Sequence, residues 1–557
     1  MKLCLHGARS TVPRGLACLA VAAALSGCAQ RVENTTGSKG GRAANGTAVI
    51  AAGVDIKGVN QLTGGASRFE QDILDQLFLR LFEEQPDYAE HPPTFEPALA
   101  SGYSWSEDRK TIRIELRPGL VWSDGVPITS ADVVWTHRAQ IHPDIAWPDA
   151  QVKDGIESVV AVDDRTVEFR FSEIYPSRLS DLNEGVILPR HAWSSLPFDQ
   201  WHGNEGWFLD HLVVSGPYRL SRLEPQHQIV LERNPRYFRP GHPRIDRVVF
   251  RVIPDRNQRV EHLLAGRVDF VEHVPPGRAQ DVRDSLQADL IAKWHRQYTY
   301  VGWNGCSGPF AEAQVRKAMT LAIDRAALVE ALWGELAQAS LSPIPRSVWA
   351  FDRNLEAWPY DPRQAQRLLA EAGWKDHDGD GILDRAGAKL SFELATNGDN
   401  RTRADAAVII QEHLRRIGVE ARVSLLEFNA LWDRHERHGV DAMIGAWGID
   451  TSLDLKYAFH TDSIAGGKNY VCFSNPEVDR LIALARRQAE PEAAGPLLHR
   501  IQRILHEEQP YTFLWEPMRL YGVSSRLADT QPNPLSAYFN LDEWRFDGAV
   551  TEPGSSG

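Results

Sequence analysis

Cysteine is scarce: five residues in 557, three of them (Cys4, Cys18, Cys28) within the first 28 positions. Only Cys306 and Cys472 remain for the body of the chain, which excludes a disulfide-stapled scaffold. One bridge between them and two free thiols are the alternatives. Long apolar runs are missing too. Leu16 to Leu25 (LACLAVAAAL) is ten residues, about half of the roughly 20 that a spanning helix needs, and no later segment is long and apolar enough to cross a bilayer. There is no basic excess. Sixty-one Lys and Arg stand against 74 Asp and Glu, a net charge of −13, with no basic stripe, which speaks against nucleic acid or anionic lipid as partner. Catalytic wording is absent as well: no Gly-x-Ser-x-Gly, His-Glu-x-x-His or Walker loop occurs. His435 and His438 lie three apart, a spacing that suits a solvated helix face better than a metal pair. An enzyme is not expected. No short repeat is found, which excludes a solenoid.

What is present begins with location. Lys2, Arg9 and Arg14, with no acid among the first 27 residues, precede the apolar run. That is the layout of a signal peptide. It ends in Leu25-Ser26-Gly27-Cys28, which resembles the lipobox of bacterial lipoproteins. Residues 1–27 are therefore expected to be removed and Cys28 to carry lipid. Residues 28–47, polar and rich in Gly, Ser, Thr and Asn, read as a flexible tether. The protein is expected to be exported and held at the cell membrane by its N-terminal lipid, facing the periplasm or the exterior. A chain of this length holds more than one domain, and its 17 Trp supply flat apolar walls suited to a cleft, though most belong in the core.

The most informative stretch runs from Pro97 to Ala139. Thr111 to Leu116 (TIRIEL) alternates as a half-buried strand does. Arg117-Pro118-Gly119 breaks it, Ser123-Asp124-Gly125 turns, and Thr129 or Ser130 caps a helix starting near Ala131, with Asp132 in its first turn. Further on, Thr47 to Val54 reads as a strand, Phe69 to Phe82 as a helix, and Val159 to Phe171 as a hairpin turning at Asp163-Asp164. Val315 to Trp333 reads as a single amphipathic helix. Asp361-Pro362 starts another helix that stops at Gly373, and residues 511–546 return as strands. Alternating strands and helices predict an α/β fold.

The wording of these elements, in order, resembles the family 5 extracellular solute-binding proteins, receptors of peptide and nickel ABC importers. The resemblance rests on Pro97-x-Leu99-Ala100, Leu116-Arg117-Pro118-Gly119, Trp122-Ser123-Asp124-Gly125, Gly216-Pro217-Tyr218, Asn234-Pro235-x-Tyr237, Ala265-Gly266-x-x-Asp269 and Ala322-Ile323-Asp324-Arg325. It implies a periplasmic-binding-protein-like fold of two lobes with a hinge and a small inserted domain. The expected divisions are 48–90, 212–295 and 511–546 for domain I, 91–211 for inserted domain II, and 296–510 for domain III, with 547–557 a loose tail. Two departures stand out: Gly58 to Leu62 replaces the family's Leu-Asp-Pro, and Ser452-Leu453-Asp454 replaces its Asp-Pro.

The resemblance also implies a site. In peptide-binding members a Trp followed three residues later by an Asp receives the peptide's ammonium group; Trp447 and Asp450, with Gly448 between, match. Arg401 and Arg403 are expected at the opposite, carboxylate end, and Trp303-Asn304 with Asn469-Tyr470 at strand ends lining the cleft. The expected function is capture of di- or oligopeptides by a monomeric receptor and delivery to ABC permease subunits. The alternatives are a nickel chelate, haem or sugar on the same scaffold, or an exported enzyme or adhesin. Independently of the resemblance, Asp376, Asp378, Asp380 and Asp384 occupy positions one, three, five and nine of an EF-hand-like loop, with Gly387 where the final Glu belongs. Calcium and a solvated turn are the alternatives there; no other cofactor is expected.

Overall fold

The structure, a computed structural model, describes residues 46–64 and 67–547. Among these the longest strand is Tyr511–Ser524, 14 residues and almost wholly buried. Buried on both faces, it is mostly apolar, with Thr512, Glu516 and Arg519 as its interruptions. Its partners change near Pro517, which has no N–H to give to the ladder. Residues 511–515 pair with Gln297–Trp303 and 515–517 with Ala337–Ala339. Residues 518–524 pair with Ala288–Trp294, and 521–523 with Phe270–Glu272. One strand thus belongs to two lobes. The expected division at residue 511 is corrected accordingly: Tyr511 to Pro517 is second-lobe backbone, because its register is with second-lobe strands.

In the first lobe, Thr47–Ala52 lies parallel to Arg247–Val252 and to Phe270–Glu272, and Gln228–Arg233 and Tyr218–Glu224 extend the sheet. In the second, Ser391–Asn397 lies parallel to Glu420–Leu426 and Ala442–Gly448, with helix Arg401–Arg415 as the crossover. Register fixes where the strands point. Phe270 is opposite Val523 and Glu272 opposite Tyr521, so that strand runs toward Pro517. Gly448 is opposite Gln297, again at the crossing. The carboxyl edges of both sheets therefore meet at the hinge, the edge at which open α/β sheets take ligands.

The inserted domain carries an antiparallel sheet in the order Ala100–Trp105, Thr111–Leu116, Thr166–Phe171, Ile156–Asp163. Ile112, Ile114 and Leu116 are fully buried, while Arg113 and Glu115 face solvent. Helix Ser130–Gln140 starts where expected, the Asp132 carboxylate accepting the Thr129 N–H at 2.9 Å. One apolar core runs from this domain into the first lobe. Trp122, Trp193 and Trp201 are fully buried in it, so these tryptophans build the fold and not a cleft.

Two further expectations are corrected. The helix predicted over 315–333 is two, Ala313–Ala322 and Arg325–Trp333, because the Asp324 side chain accepts from the Ala327 N–H at 3.0 Å and caps a new start. The helix predicted over 69–82 is Arg68–Leu77, capped by Ser67; the chain is extended from Phe78 and enters strand Phe82–Glu84. Between the two cysteine alternatives the structure has the bridge: Cys306 and Cys472 are joined, with Cα atoms 5.0 Å apart. Cys28 and residues 548–557 of the expected tail lie outside the described residues, while Asp547 is tied down, its N–H donating to the Arg526 carbonyl at 2.9 Å.

Candidate functional site

The second-lobe wall is built at the end of strand Ala442–Gly448. Gly448 is exposed, and a Cβ there would meet nothing within 4 Å, so any side chain would project into the cleft. Trp447 is half-buried. Its indole N–H donates to the Tyr511 hydroxyl at 3.3 Å, and its ring lies 6.3 Å from Tyr470, nearly parallel at 13°. Trp432 stands tilted to both, 6.0 Å from Trp447 and 5.8 Å from Tyr470, and Tyr457 meets Trp447 edge-on at 5.4 Å. An aromatic wall results, apolar on its faces and supplying few donors.

Two opposite charges flank that wall. Asp450 is exposed, its Oδ1 accepting from the Ser452 hydroxyl at 2.7 Å and from the Leu453 N–H at 3.2 Å. It shares a recess with Tyr88, Arg296, Trp349 and Thr451. Arg403 sits in the first turn of helix Arg401–Arg415, its Nη1 donating to the side-chain oxygen of Asn397, the last residue of the neighbouring strand, at 2.9 Å. Burial lowers its pKa, with Tyr300 and Asp399 opposing. Among the described residues neither Asp450 nor Arg403 has an ion-pair partner within 4 Å. The Asp450 loop is the place where the family's Asp-Pro is replaced, and here Ser452 holds the carboxylate instead.

Other expected site residues serve the lobe itself. Trp303 is fully buried, packed 4.8 Å from Phe310, and donates to the Thr512 hydroxyl at 3.0 Å. Asn469 is also fully buried; its amide donates to the carbonyls of His460 and Phe473 and accepts the Phe473 N–H. Asn304 donates to the carbonyls of His438 and Val440. Arg401 is solvent-facing, its side chain 89% exposed, and pairs with Asp405 one turn on. Trp303 and Asn304 brace strand ends and Arg401 a helix start, whereas Asn469, expected at a strand end, holds a loop together because its amide is spent on the backbone of His460 and Phe473. Of the expected set, Trp447 and Tyr470 pack together, Gly448 and Asp450 follow Trp447 at the strand end, and Arg403 stands at the start of the neighbouring helix, next to Tyr300 in its electrostatics.

The acidic loop is far from this wall in the topology, following helix Pro362–Glu371. Asp376 accepts the N–H groups of Gly379 and Gly381, Asp380 accepts that of Ile382, and Asp384 accepts from His377. The Lys389 ammonium pairs with Asp380 and Asp378. Oxygens of Asp376, Asp378 and Asp384 lie within 4.8 Å of one another, but Asp380 is not among them. Most of the carboxylate capacity is therefore spent within the turn.

Three residues that neighbour the aromatic wall or Asp450 carry no signal in the sequence. Trp432 and Tyr457 are aromatic residues on short helices that carry no motif. Asp181 belongs to the inserted domain, yet its carboxyl is pushed up to about 7, by burial first and in part by the Asp450 charge. Lys153 beside it is fully buried, donates to the carbonyls of Leu182 and Glu184, and is pulled down to about 7 by burial. Only the closure of two distant segments puts Asp181 near Asp450, and nothing local signals that.

The profile of bacterial extracellular solute-binding proteins, family 5 Middle, matches residues 94–469. The oligopeptide-binding protein AppA of Bacillus subtilis is 31% identical over 439 residues, 77% of this chain and 80% of AppA. The AppA structure, in complex with a nonapeptide, superposes with a TM-score of 0.75 over 90% of this chain and 99% of that one, at 28% identity. The glutathione-binding protein GsiB of Salmonella typhimurium is 25% identical over 484 residues, 85% of this chain and 89% of GsiB. NikZ of Campylobacter jejuni in complex with Ni(L-His) shares the fold, with a TM-score of 0.76 at 21% identity over 90% of this chain and 99% of that one. Proteins of this family serve transport as binding proteins and are not enzymes. The chain belongs to family 5 of the bacterial extracellular solute-binding proteins.

Proposed function

We propose that this protein captures peptides between its lobes, with Asp450 receiving the ligand's ammonium group and Arg403 its carboxylate. The observation that carries the reading is the pair of unpaired opposite charges on one wall. A zwitterionic ligand supplies both missing partners, and charge-assisted hydrogen bonds of this kind are stronger than neutral ones. The aromatic wall between them, Trp447, Trp432 and Tyr470, takes the apolar body of the ligand. Free strand-edge groups beside it can pair with an extended peptide backbone, which gives affinity with little side-chain reading.

The mechanism is closure about the strand that both lobes share. Bending where residues 515–518 change partners moves one carboxyl edge toward the other. Closure expels water, so each charge pair then acts in a medium of lower dielectric. Delivery to membrane permease subunits follows, and the sequence of residues 1–28 supports anchoring through lipid on Cys28. Titration of a free peptide and its N-acetylated form tests the ligand assignment. Fractionation of the Cys28→Ser variant tests the anchor: loss from the membrane fraction is expected, and retention there contradicts it.

A further inference from the structure

The first-lobe wall holds a cation without a partner. Arg259, in the first turn of helix Arg256–Leu264, is 5% exposed, and among the described residues no hydrogen bond or ion pair reaches its guanidinium. It lies against Gly53, just past strand Thr47–Ala52: a Cβ there would come within 2.4 Å of its Nη1. Gly53 and Arg259 are thus at the carboxyl edge of the first-lobe sheet, the edge turned to the hinge. Of the neighbouring cations, Arg256 is exposed to solvent at the start of the same helix, and two others are already engaged. Arg68 pairs with Asp72 at 2.7 Å, and Arg519 with Glu272 at 3.5 Å. His273 and His295 add no charge, since burial first and the surrounding arginines next hold them down to about 3 and about 2. Glu272 is the carboxylate nearest to Arg259 in electrostatic effect and remains out of ion-pairing distance. A buried charge left unpaired destabilises a fold, and such a group persists where something else completes it.

We infer that Arg259 receives a carboxylate on the ligand's side chain, so that the peptides taken by this protein are acidic ones. The inference rests on the peptide reading and adds to it. The ligand's terminal charges are met on the second lobe, and a third charge is met on the first, which gives the two lobes a common hold on one molecule. An Arg fork recognises a carboxylate through two parallel N–H donors. Because it is desolvated before the ligand arrives, Arg259 favours an anion over a neutral isostere of the same shape.

The test is calorimetric titration of the full chain with Ala-Glu-Ala, Ala-Gln-Ala and the C-terminal amide of Ala-Glu-Ala, against wild type and Arg259→Gln. Wild type is expected to bind the Glu peptide about tenfold or more above the Gln peptide. In Arg259→Gln that preference should vanish while affinity for Ala-Gln-Ala stays. The unliganded variant should melt no lower than wild type, since an unpaired buried charge has gone. The amide separates the two sources of carboxylate: its loss of affinity should persist in Arg259→Gln if Arg259 reads the side chain. Equal binding of Glu and Gln peptides to wild type, or a preference that survives in Arg259→Gln, overturns the inference and leaves the peptide reading standing. If neither peptide binds, the peptide reading falls. The pocket is then read from glutarate: a thermal shift present in wild type and absent in Arg259→Gln supports it, and no shift overturns it.

Discussion

The Trp447 indole N–H donates to the hydroxyl of Tyr511, the first residue of the strand that crosses from lobe to lobe. Tyr511 also stacks on Tyr300 at 4.0 Å, so the ligand wall and the hinge share one packed unit. Trp447→Phe keeps the ring and removes the donor. Losing one such bond costs about 1 kcal/mol; peptide affinity is expected to fall about fivefold, read by titration, with little change in melting temperature. Unchanged affinity would disconnect the wall from the hinge.

His435 gives a pH signature. It is 2% exposed among Trp432 and Tyr470, with neither ring nitrogen partnered. Burial first, then His438, lowers it to about 3. Between that value and the ordinary 6.5 the unfolded chain binds the proton and the folded one does not, so stability rises with pH across this window and is lost as pH falls through it. His435→Phe should flatten the fall in melting temperature between pH 6.5 and pH 4. An unaltered slope contradicts the assignment.

Cys306–Cys472 encloses a separation of 166 residues. By the chain-entropy account a bridge of this span contributes about 2–5 kcal/mol. Reduction, or the double Ser variant, is expected to lower the unfolding midpoint in denaturant. A midpoint that does not move would mean the loop is held without the bond.

Arg109, at a turn of the inserted domain, pairs with Glu490 just before helix Pro491–Glu508, and Arg178 donates to the Ala489 carbonyl at 3.0 Å. These contacts join the inserted domain to the second lobe, away from the ligand wall in sequence. Arg109 and Glu490 are about half exposed, so the pair is worth only about 0–1 kcal/mol. Glu490→Arg should weaken peptide binding severalfold at most, and Arg109→Glu in the same chain should restore it. Failure of the double variant to restore it would remove the pair from closure.

The fold was largely legible because its signals are local. Thr129 and Asp361 stand at helix starts, and the period-two strand at Thr111–Leu116 and the glycine at 373 mark their own places. Trp447 and Asp450 were singled out by the family resemblance, and the ligand roles given to them are proposals. What was not legible depends on distance in sequence. Trp303 ends a strand as expected, while Asn469 lies in a loop and not at a strand end; which way each side chain turns is decided by packing against Phe310 and by the carbonyls of His460 and Phe473. Arg259 and Asp181 are unremarkable in sequence, since their meaning comes from what the hinge brings near them or fails to supply. The long helix over 315–333 was misread because Asp324 is compatible with helix spacing and also caps.

The central claim is that Asp450 receives a peptide's ammonium group, and calorimetric titration of Asp450→Asn with a free peptide and its N-acetylated form tests it most directly. Wild type should lose about 10- to 100-fold in affinity on acetylation. Asp450→Asn should bind the free peptide correspondingly weakly and show no further loss on acetylation. If Asp450→Asn binds the free peptide as wild type does, the claim is contradicted.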